Sequence, residues 1–170
     1  MRVRTETDVD RAAIRAVNEA AFGSGAEAEI VDALRAKGVE LVSLVADGDG
    51  AIVGHILFSP VSLVGHDGLD LMGLGPMAVL PREQRKGIGS ALVREGLRQC
   101  KQLGAQAVVV VGHPRYYPRF GFAPASRYGI RCEYDVPDDV FMIAELEAGA
   151  LRNASGLVHY DAAFGGPGQP

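Results

Sequence analysis

Two hydrophobic periods alternate along the chain, and their order predicts the architecture. Val3–Thr5 reads as a short strand. After it, Thr7 or Asp8 can cap a helix running to about Ala21, with Ile14, Val17 and Ala21 on one face. Phe22-Gly23-Ser24-Gly25 breaks it. Ile30, Val31 and Leu34 mark the inward face of a second helix, from about Ala26 to Lys37, with Gly38 as its stop. Leu41–Ala46 then reads as a strand. Asp47-Gly48-Asp49-Gly50 has hairpin-turn composition. Ala51–Val64 is a long strand bent near Pro60. Gly65-His66-Asp67-Gly68 is another turn, and Leu69–Leu80 is a strand with glycines in its middle.

A proline and a short charged segment follow, and then a long amphipathic helix over Ile88–Leu103. Ile88, Leu92, Gly96, Cys100 and Leu103 line its apolar face, flanked by Val93 and Leu97, while Arg94, Arg98 and Lys101 lie on the wet side. Gly104 stops it. Ala107–Val111 is a continuous apolar run rich in β-branched residues, the pattern of a strand buried on both faces. A short helix or turn is expected around Arg115–Phe120, and strands at Phe141–Leu146 and Leu157–Tyr160. The strand–turn–helix–strand unit from Leu69 to Val111 is a crossover, so its two strands are predicted to be parallel neighbours. The earlier strands form an antiparallel meander. The fold class is α/β, an α+β mixed sheet with helices on its faces, in one domain over residues 1–163. Residues 164–170 read as a flexible C-terminal tail.

Composition narrows the function classes. The chain has 170 residues, 48% of them hydrophobic and 22% charged, which suits a single globular core. Its net charge of −4 argues against a nucleic-acid binder, which would carry a basic face. Basic residues do cluster, at Arg82, Arg85 and Lys86 and again at Arg115 and Arg119. Such local patches suit a small anionic ligand. No apolar stretch nears the ~18 residues of a membrane span. No signal segment opens the chain, because Arg2, Arg4, Glu6, Asp8 and Asp10 interrupt it. These features, with two cysteines (Cys100 and Cys132) that match no zinc spacing, predict a cytoplasmic protein. Asn153-Ala154-Ser155 matches a glycosylation pattern that is empty without secretion. The four histidines at 55, 66, 113 and 159 are scattered, so no metal site is expected. Ser59 and Ser62 have no G-x-S-x-G elbow around them, and Cys100 sits where a core residue would.

The most informative segment is Val79-Leu80-Pro81-Arg82-Glu83-Gln84-Arg85-Lys86-Gly87-Ile88-Gly89-Ser90. A glycine turn that opens a helix aims backbone N–H groups at one spot, at the positive end of the helix dipole, and that spot can hold a phosphate or pyrophosphate. The chain contains no G-x-x-x-x-G-K-[ST] string. Gly73-Leu74-Gly75-Pro76-Met77-Ala78 spells G-x-G-x-x-G/A, but apolar residues continue to Leu80 and no helix begins there. Gly73 and Gly75 instead mark a bulge or a close backbone approach.

Gln84-Arg85-Lys86-Gly87-Ile88-Gly89 fits Q/R-x-x-G-x-G/A, after a strand ending in V-x-P and before an amphipathic helix. Placed there, it resembles the acetyl-CoA loop of the GCN5-related N-acetyltransferase (GNAT) superfamily. Tyr116-Tyr117-Pro118-Arg119-Phe120-Gly121-Phe122 resembles the family's Y-x-x-x-G-F segment, and the order of elements agrees over roughly residues 2–163. Arg-Phe-Gly-Phe paired with an early Ala-Phe-Gly resembles a bacterial subgroup of acetyltransferases. The resemblance implies a mostly antiparallel central sheet whose parallel fourth and fifth strands splay apart. The pantetheine arm of acetyl-CoA would pair with backbone at Met77, Ala78 and Val79. The amides from about Arg85 through Lys86, Gly87, Ile88 and Gly89 to Ser90, with Gln84 opening the motif, would hold the pyrophosphate. Arg82, Arg85 or Lys86 would add charge, one of them for the remaining phosphate. A backbone N–H near Val79 would stabilise the oxyanion.

Tyr117 matches the family's general acid, with Tyr116 as its rival. A phenol near ~10 is reasonably matched to a leaving thiol near ~8.5. No acidic residue lies in Leu71–Leu80 or Ala107–Val111, so the general base stays open. The candidates are His113, which otherwise shapes the turn before Pro114, and His55, which otherwise packs. A water relay needs neither. Glu19, Glu27 and Glu29 lie where the first helices of such folds border the acceptor, as cation binders or as solvated helix residues. The implied function is transfer of an acetyl group from acetyl-CoA, as co-substrate, to a primary amine of a small molecule or peptide by direct attack. No metal, membrane or nucleic acid takes part, and the protein is a monomer or homodimer. The alternative is an acyl-CoA-binding sensor or interaction module of the same fold. A nucleotide enzyme would require nucleotide to displace CoA.

Overall fold

A computed structural model describes residues 1–165, so all but the first two residues of the tail expected over 164–170 lie outside the described residues. Contacts along the chain cluster into two compact units: Met1–Phe58 with Gly75–Gln99, and Ser59–Leu74 with Cys100 onward. Among the described residues no helix is long and apolar enough to cross a membrane.

In the first unit, β1 (Arg2–Thr5) pairs antiparallel with β2 (Val42–Gly48), which turns at Asp49-Gly50 into β3 (Ala51–Leu63). Asp49 and Gly50 have φ of +56° and +88°, the left-handed pair that a tight hairpin needs. Period two along β3 sends alternate side chains to opposite faces. Gly54 and Phe58 face α3 (Ile88–Gln102): a Cβ at Gly54 would lie 3.0 Å from Ile88 and 3.1 Å from Leu92. His55 faces the other way and meets Asn18 of α1 (Arg11–Phe22). Helices thus cover both faces of β3 here, as the sequence predicts. α2 (Ala26–Ala36) is tied to α1 by Arg15, which donates to Asp32 at 2.6 Å and to Glu19 at 2.9 Å.

The predicted first helix begins one turn late. Asp8–Asp10 is a 3-10 turn, in which the Thr7 N–H donates to the Asp10 carboxylate at 2.7 Å. Arg4 grips both oxygens of that carboxylate, at 2.8 and 3.0 Å, and with Thr7 holds Asp10 well below the usual carboxylate range. In α2 the buried positions are Ala28, Val31 and Leu34, while Ile30 is half-buried.

Of β4 (Leu71–Val79), residues Leu71–Leu74 belong to the second unit, where they pair parallel with β5 (Ala107–Val111), as the crossover requires. β5 pairs antiparallel with β8 (Phe141–Glu145), which carries the two-residue β6 (Ala123–Pro124). The end of β3 pairs with β9 (Gly156–His159), and β9 pairs parallel with β7 (Ile130–Cys132). β3 and β4 are also hydrogen-bonded neighbours; the β4–β5 and β7–β9 ladders are parallel, and β1–β2, β2–β3, β3–β9, β5–β8 and β6–β8 are antiparallel. Residues Ala107–Val110 are at most 1% exposed, consistent with burial on both faces. β6 and β7 add two strands that the sequence does not predict, each too short for a period to show. Leu103, expected on the apolar face of α3, is 52% exposed, because the helix ends at Gln102 and Gly104 turns the chain at φ +94°. Phe164 closes a 3-10 turn and packs on Tyr160 with ring centroids 5.5 Å apart.

Gly96 sits at the middle of the buried face of α3, where its missing side chain leaves room for the Phe58 ring. Phe58 is fully buried, so its ring has no free direction in which to retreat. Gly96→Ala should therefore destabilise the protein by about 1–3 kcal/mol through overpacking, despite alanine's better helix propensity. Urea denaturation measures this. A stability equal to the parent's or above it would show that the ring moves freely.

Candidate functional site

The glycine turn belongs to the first unit. Pro81–Glu83 form a 3-10 turn, after which Gln84 is extended, at φ −67° and ψ 157°. Arg85 and Gly87 then take left-handed conformations, with φ of +63° and +87°. Left-handed residues interspersed in a turn bring successive N–H groups to one side. Arg85 carries a side chain into a region that costs roughly 1–2 kcal/mol, so surrounding structure must enforce it. Within α3 the Ala91 amide returns onto the turn, donating to the Gly87 carbonyl at 3.1 Å. Among the described residues no carbonyl accepts from the amides of Arg85, Lys86, Gly87, Ile88 and Gly89. Donors of this kind at the positive end of a 15-residue helix suit an anion.

Side chains fix this turn to its surroundings. Gln84 Nε2 donates to the Val79 carbonyl at 3.1 Å, tying the turn to the end of β4. Lys86 Nζ pairs with Glu83 at 3.0 Å, and Arg82 lies 3.7 Å from the same carboxylate. Arg85 is exposed and has no carboxylate within ion-pair reach among the described residues. Of the three basic residues, it is the cation that Glu83 leaves uncommitted.

β4 pairs with β5 only from Leu71↔Ala107 to Leu74↔Val110. Gly75, the next residue, has φ +152° and open space where a Cβ would stand. Gly73 has the other role foreseen for these glycines, close approach: its Cβ would lie 3.0 Å from Val61 and 3.3 Å from Tyr160. Beyond Gly75 the strand carries Met77 and Val79, both half-buried, and Ala78, which is 2% exposed.

Tyr117 belongs to the second unit, at the start of a 3-10 turn over Tyr117–Phe120. It is 7% exposed. Its ring lies over Gly112, where any Cβ would collide with it. Tyr116 and Phe122 stand edge-on at centroid distances of 5.0 and 5.6 Å. Burial, with Tyr116 as a second cause, pushes the Tyr117 phenol well above the ordinary tyrosine range. Its hydroxyl has no hydrogen-bond partner among the described residues. The sequence shows Tyr117 by its spacing from Gly121-Phe122; it gives no sign that Gly112 is the floor of the seat.

The histidines divide clearly. His113 is exposed, and its Nδ1 accepts the Arg115 N–H at 3.1 Å, while its carbonyl accepts from Tyr116 at 3.0 Å. That is a turn-shaping arrangement. His55 is fully buried, between Asn18 Nδ2 at 3.2 Å on Nδ1 and Ser43 Oγ at 2.9 Å on Nε2. Since the Asn18 amide nitrogen only donates, Nδ1 accepts and Nε2 carries the proton. Burial, with Arg35 as a lesser cause, pulls the His55 pKa from 6.5 down to about 3. Among the carboxylates, Glu19 pairs with Arg15 at 2.9 Å and Glu29 is exposed. Glu27 is half-buried, and its Oε2 is out of water with no donor among the described residues. Ser59 and Cys100 are both fully buried and form no nucleophilic pair. Among the described residues no group of His, Cys, Asp or Glu side chains could hold a metal ion.

The unfolded chain protonates His55 below about 6.5, while the folded protein keeps it neutral down to about 3. Lowering the pH through that window should therefore destabilise the fold, with a limiting contribution of about 1.4 kcal/mol per pH unit. Thermal melts of the parent and of His55→Gln between pH 7 and 4 measure it: the parent should lose the more. Parallel pH profiles would contradict the neutral, buried assignment.

Known proteins resemble the chain over most of its length. The family model described as Acetyltransferase (GNAT) family matches residues 11–122. The uncharacterized N-acetyltransferase YhbS of Escherichia coli K12 is 37% identical over 165 residues, covering 96% of this chain and 98% of that protein. The crystal structure of Escherichia coli YhbS in complex with CoA matches with a TM-score of 0.91 and 36% identity, over 96% of this chain and 91% of that one. A GNAT family acetyltransferase from Brucella melitensis in complex with acetyl-CoA matches with a TM-score of 0.79 and 40% identity, over 96% of this chain and 97% of that one.

Proposed function

The chain belongs to the acetyltransferase (GNAT) family, and from that premise we propose that it moves an acetyl group from acetyl-CoA to a primary amine of a small molecule or peptide by direct attack. The observation that carries this reading is the run of acceptor-less amides from Arg85 to Gly89 at the start of α3. Relatives of like fold bind CoA and acetyl-CoA. Here the amides, and that of Ser90, receive the pyrophosphate, with Gly87 and Gly89 keeping side chains out of its way. Arg85 is the cation available for a further phosphate. The backbone of Met77, Ala78 and Val79, past the end of the β4–β5 ladder, receives the pantetheine arm. The two free cysteines suit a reducing compartment, and we assign the enzyme to the cytoplasm.

The amine nitrogen adds to the thioester carbon, the carbonyl oxygen takes up negative charge, and the C–S bond then breaks. A backbone N–H near Val79 meets the oxyanion. Tyr117 meets the leaving sulfur. Burial makes its phenol a weaker acid than free tyrosine, so it stays protonated at working pH and acts first as a hydrogen-bond donor to the developing thiolate. The thiolate departs on that hydrogen bond and takes its proton from water, so Tyr117 stays a neutral phenol throughout.

The ammonium proton leaves by water. His113 offers one neutral lone pair, at Nδ1, and the Arg115 N–H already occupies it, so we assign His113 to shaping the turn. Glu27, with an unpaired oxygen out of water, suits holding a cationic acceptor; Glu19 is already paired.

Thiol release from acetyl-CoA across a panel of primary amines tests the reading. Turnover is expected with at least one amine, and Tyr117→Phe should lower kcat about 10²-fold with little change in melting temperature. Tight CoA binding with no turnover on any amine would favour the sensor instead. Because burial raises the Tyr117 phenol, the rate should show no alkaline decline from it below pH ~10. An unchanged kcat in Tyr117→Phe would remove Tyr117 from the chemistry.

A further inference from the structure

We propose that Arg119 is a positioning residue for Tyr117, acting through Tyr116; this rests on the reading of Tyr117 as the group that meets the leaving sulfur. The Tyr117 ring has a floor at Gly112, and its edge is set by Tyr116 at 5.0 Å and an interplanar angle of 88°. Tyr116 is half-buried on a short turn. Arg119 holds it in two ways. Its Nε donates to the Tyr116 carbonyl at 3.0 Å, fixing the backbone. Its guanidinium lies 4.7 Å from the centroid of the Tyr116 ring, fixing the side chain by cation–π contact. Phe120 packs on the same ring at 5.2 Å.

The clamp is built from the turn itself. Tyr116 and Arg119 are three residues apart, and Gly121 closes the turn at φ +95° with its N–H on the Pro118 carbonyl, at 3.1 Å. Among the described residues no carboxylate lies within ion-pair reach of Arg119, so nothing draws the guanidinium off the ring. The planar fork is essential: lysine keeps the charge but cannot stack on the ring while donating from Nε. The edge contact that Tyr116 presents to Tyr117 is thereby held in one place, and with it the direction of the Tyr117 hydroxyl.

A double-mutant cycle tests this with two readouts. Arg119→Ala and Arg119→Lys should each lower kcat about tenfold, within the ~10²-fold that a 1 Å misplacement of a reacting group can cost. KM for acetyl-CoA should stay within about twofold, since no ground-state contact is lost. In a Tyr117→Phe background Arg119→Ala should cost nothing further, because the hydroxyl it aims is already gone. With ¹³C-labelled tyrosine, ring flipping of Tyr117 should be faster in Arg119→Ala than in the parent.

An equal loss in both backgrounds would overturn the proposal. So would full activity of Arg119→Lys, which would make charge alone sufficient. A raised KM with unchanged kcat would mean that Arg119 touches the co-substrate directly. If Tyr117→Phe itself kept full activity, the reading of Tyr117 would fall. Ring flipping would then decide the clamp alone, with an unchanged rate in Arg119→Ala refuting it.

Discussion

Backbone amides that begin a helix without a carbonyl to bind set the terms for this protein. In water they would be solvated at no great cost, but a phosphate replaces several waters at once and adds the attraction of the helix dipole. The chain builds this arrangement at some expense. Arg85 is held left-handed, Gln84 spends its amide on the Val79 carbonyl, and Glu83 takes up Lys86. Each of these fixes the turn before any ligand arrives, so that little ordering remains when one binds. The apolar face of α3 anchors the same helix, with Ile88, Leu92 and Val93 buried and Gly96 admitting the Phe58 ring.

The aromatic turn follows a comparable logic in its own unit. A phenol that must stay protonated is best kept from water, and Tyr117 is kept so by a glycine beneath it and rings around it. Burial makes the hydroxyl a poorer acid while improving it as a fixed donor, because a hydrogen bond in low dielectric is stronger. In the proposed reaction its role is thus closer to stabilising a departing thiolate than to delivering a proton early.

Much of this was legible in the sequence. The 3.6-residue period of Ile88, Leu92 and Cys100 located α3, and the β-branched run at 107–111 located β5. The glycine turn between strand and helix pointed to an anion. What the sequence does not show is set by distance or by brevity. β6 and β7 have two and three residues, too few for a period to appear. The partners of His55 lie 37 and 12 residues away, so nothing local distinguishes a buried, doubly bonded histidine from a reactive one. Leu103 fits the helical period but falls after the helix has ended. Spacing identified Tyr117, yet Gly112 under its ring and Arg119 behind its neighbour became visible only once the turn was folded.

The central claim is that the amides from Arg85 to Gly89 form the phosphate grip. Titration of ¹⁵N-labelled protein with CoA, followed by backbone amide resonances, tests it most directly. The account predicts that these resonances shift together and saturate with a single dissociation constant, ahead of those on the far ends of the helices. Saturable CoA binding that leaves these amides unmoved would contradict it.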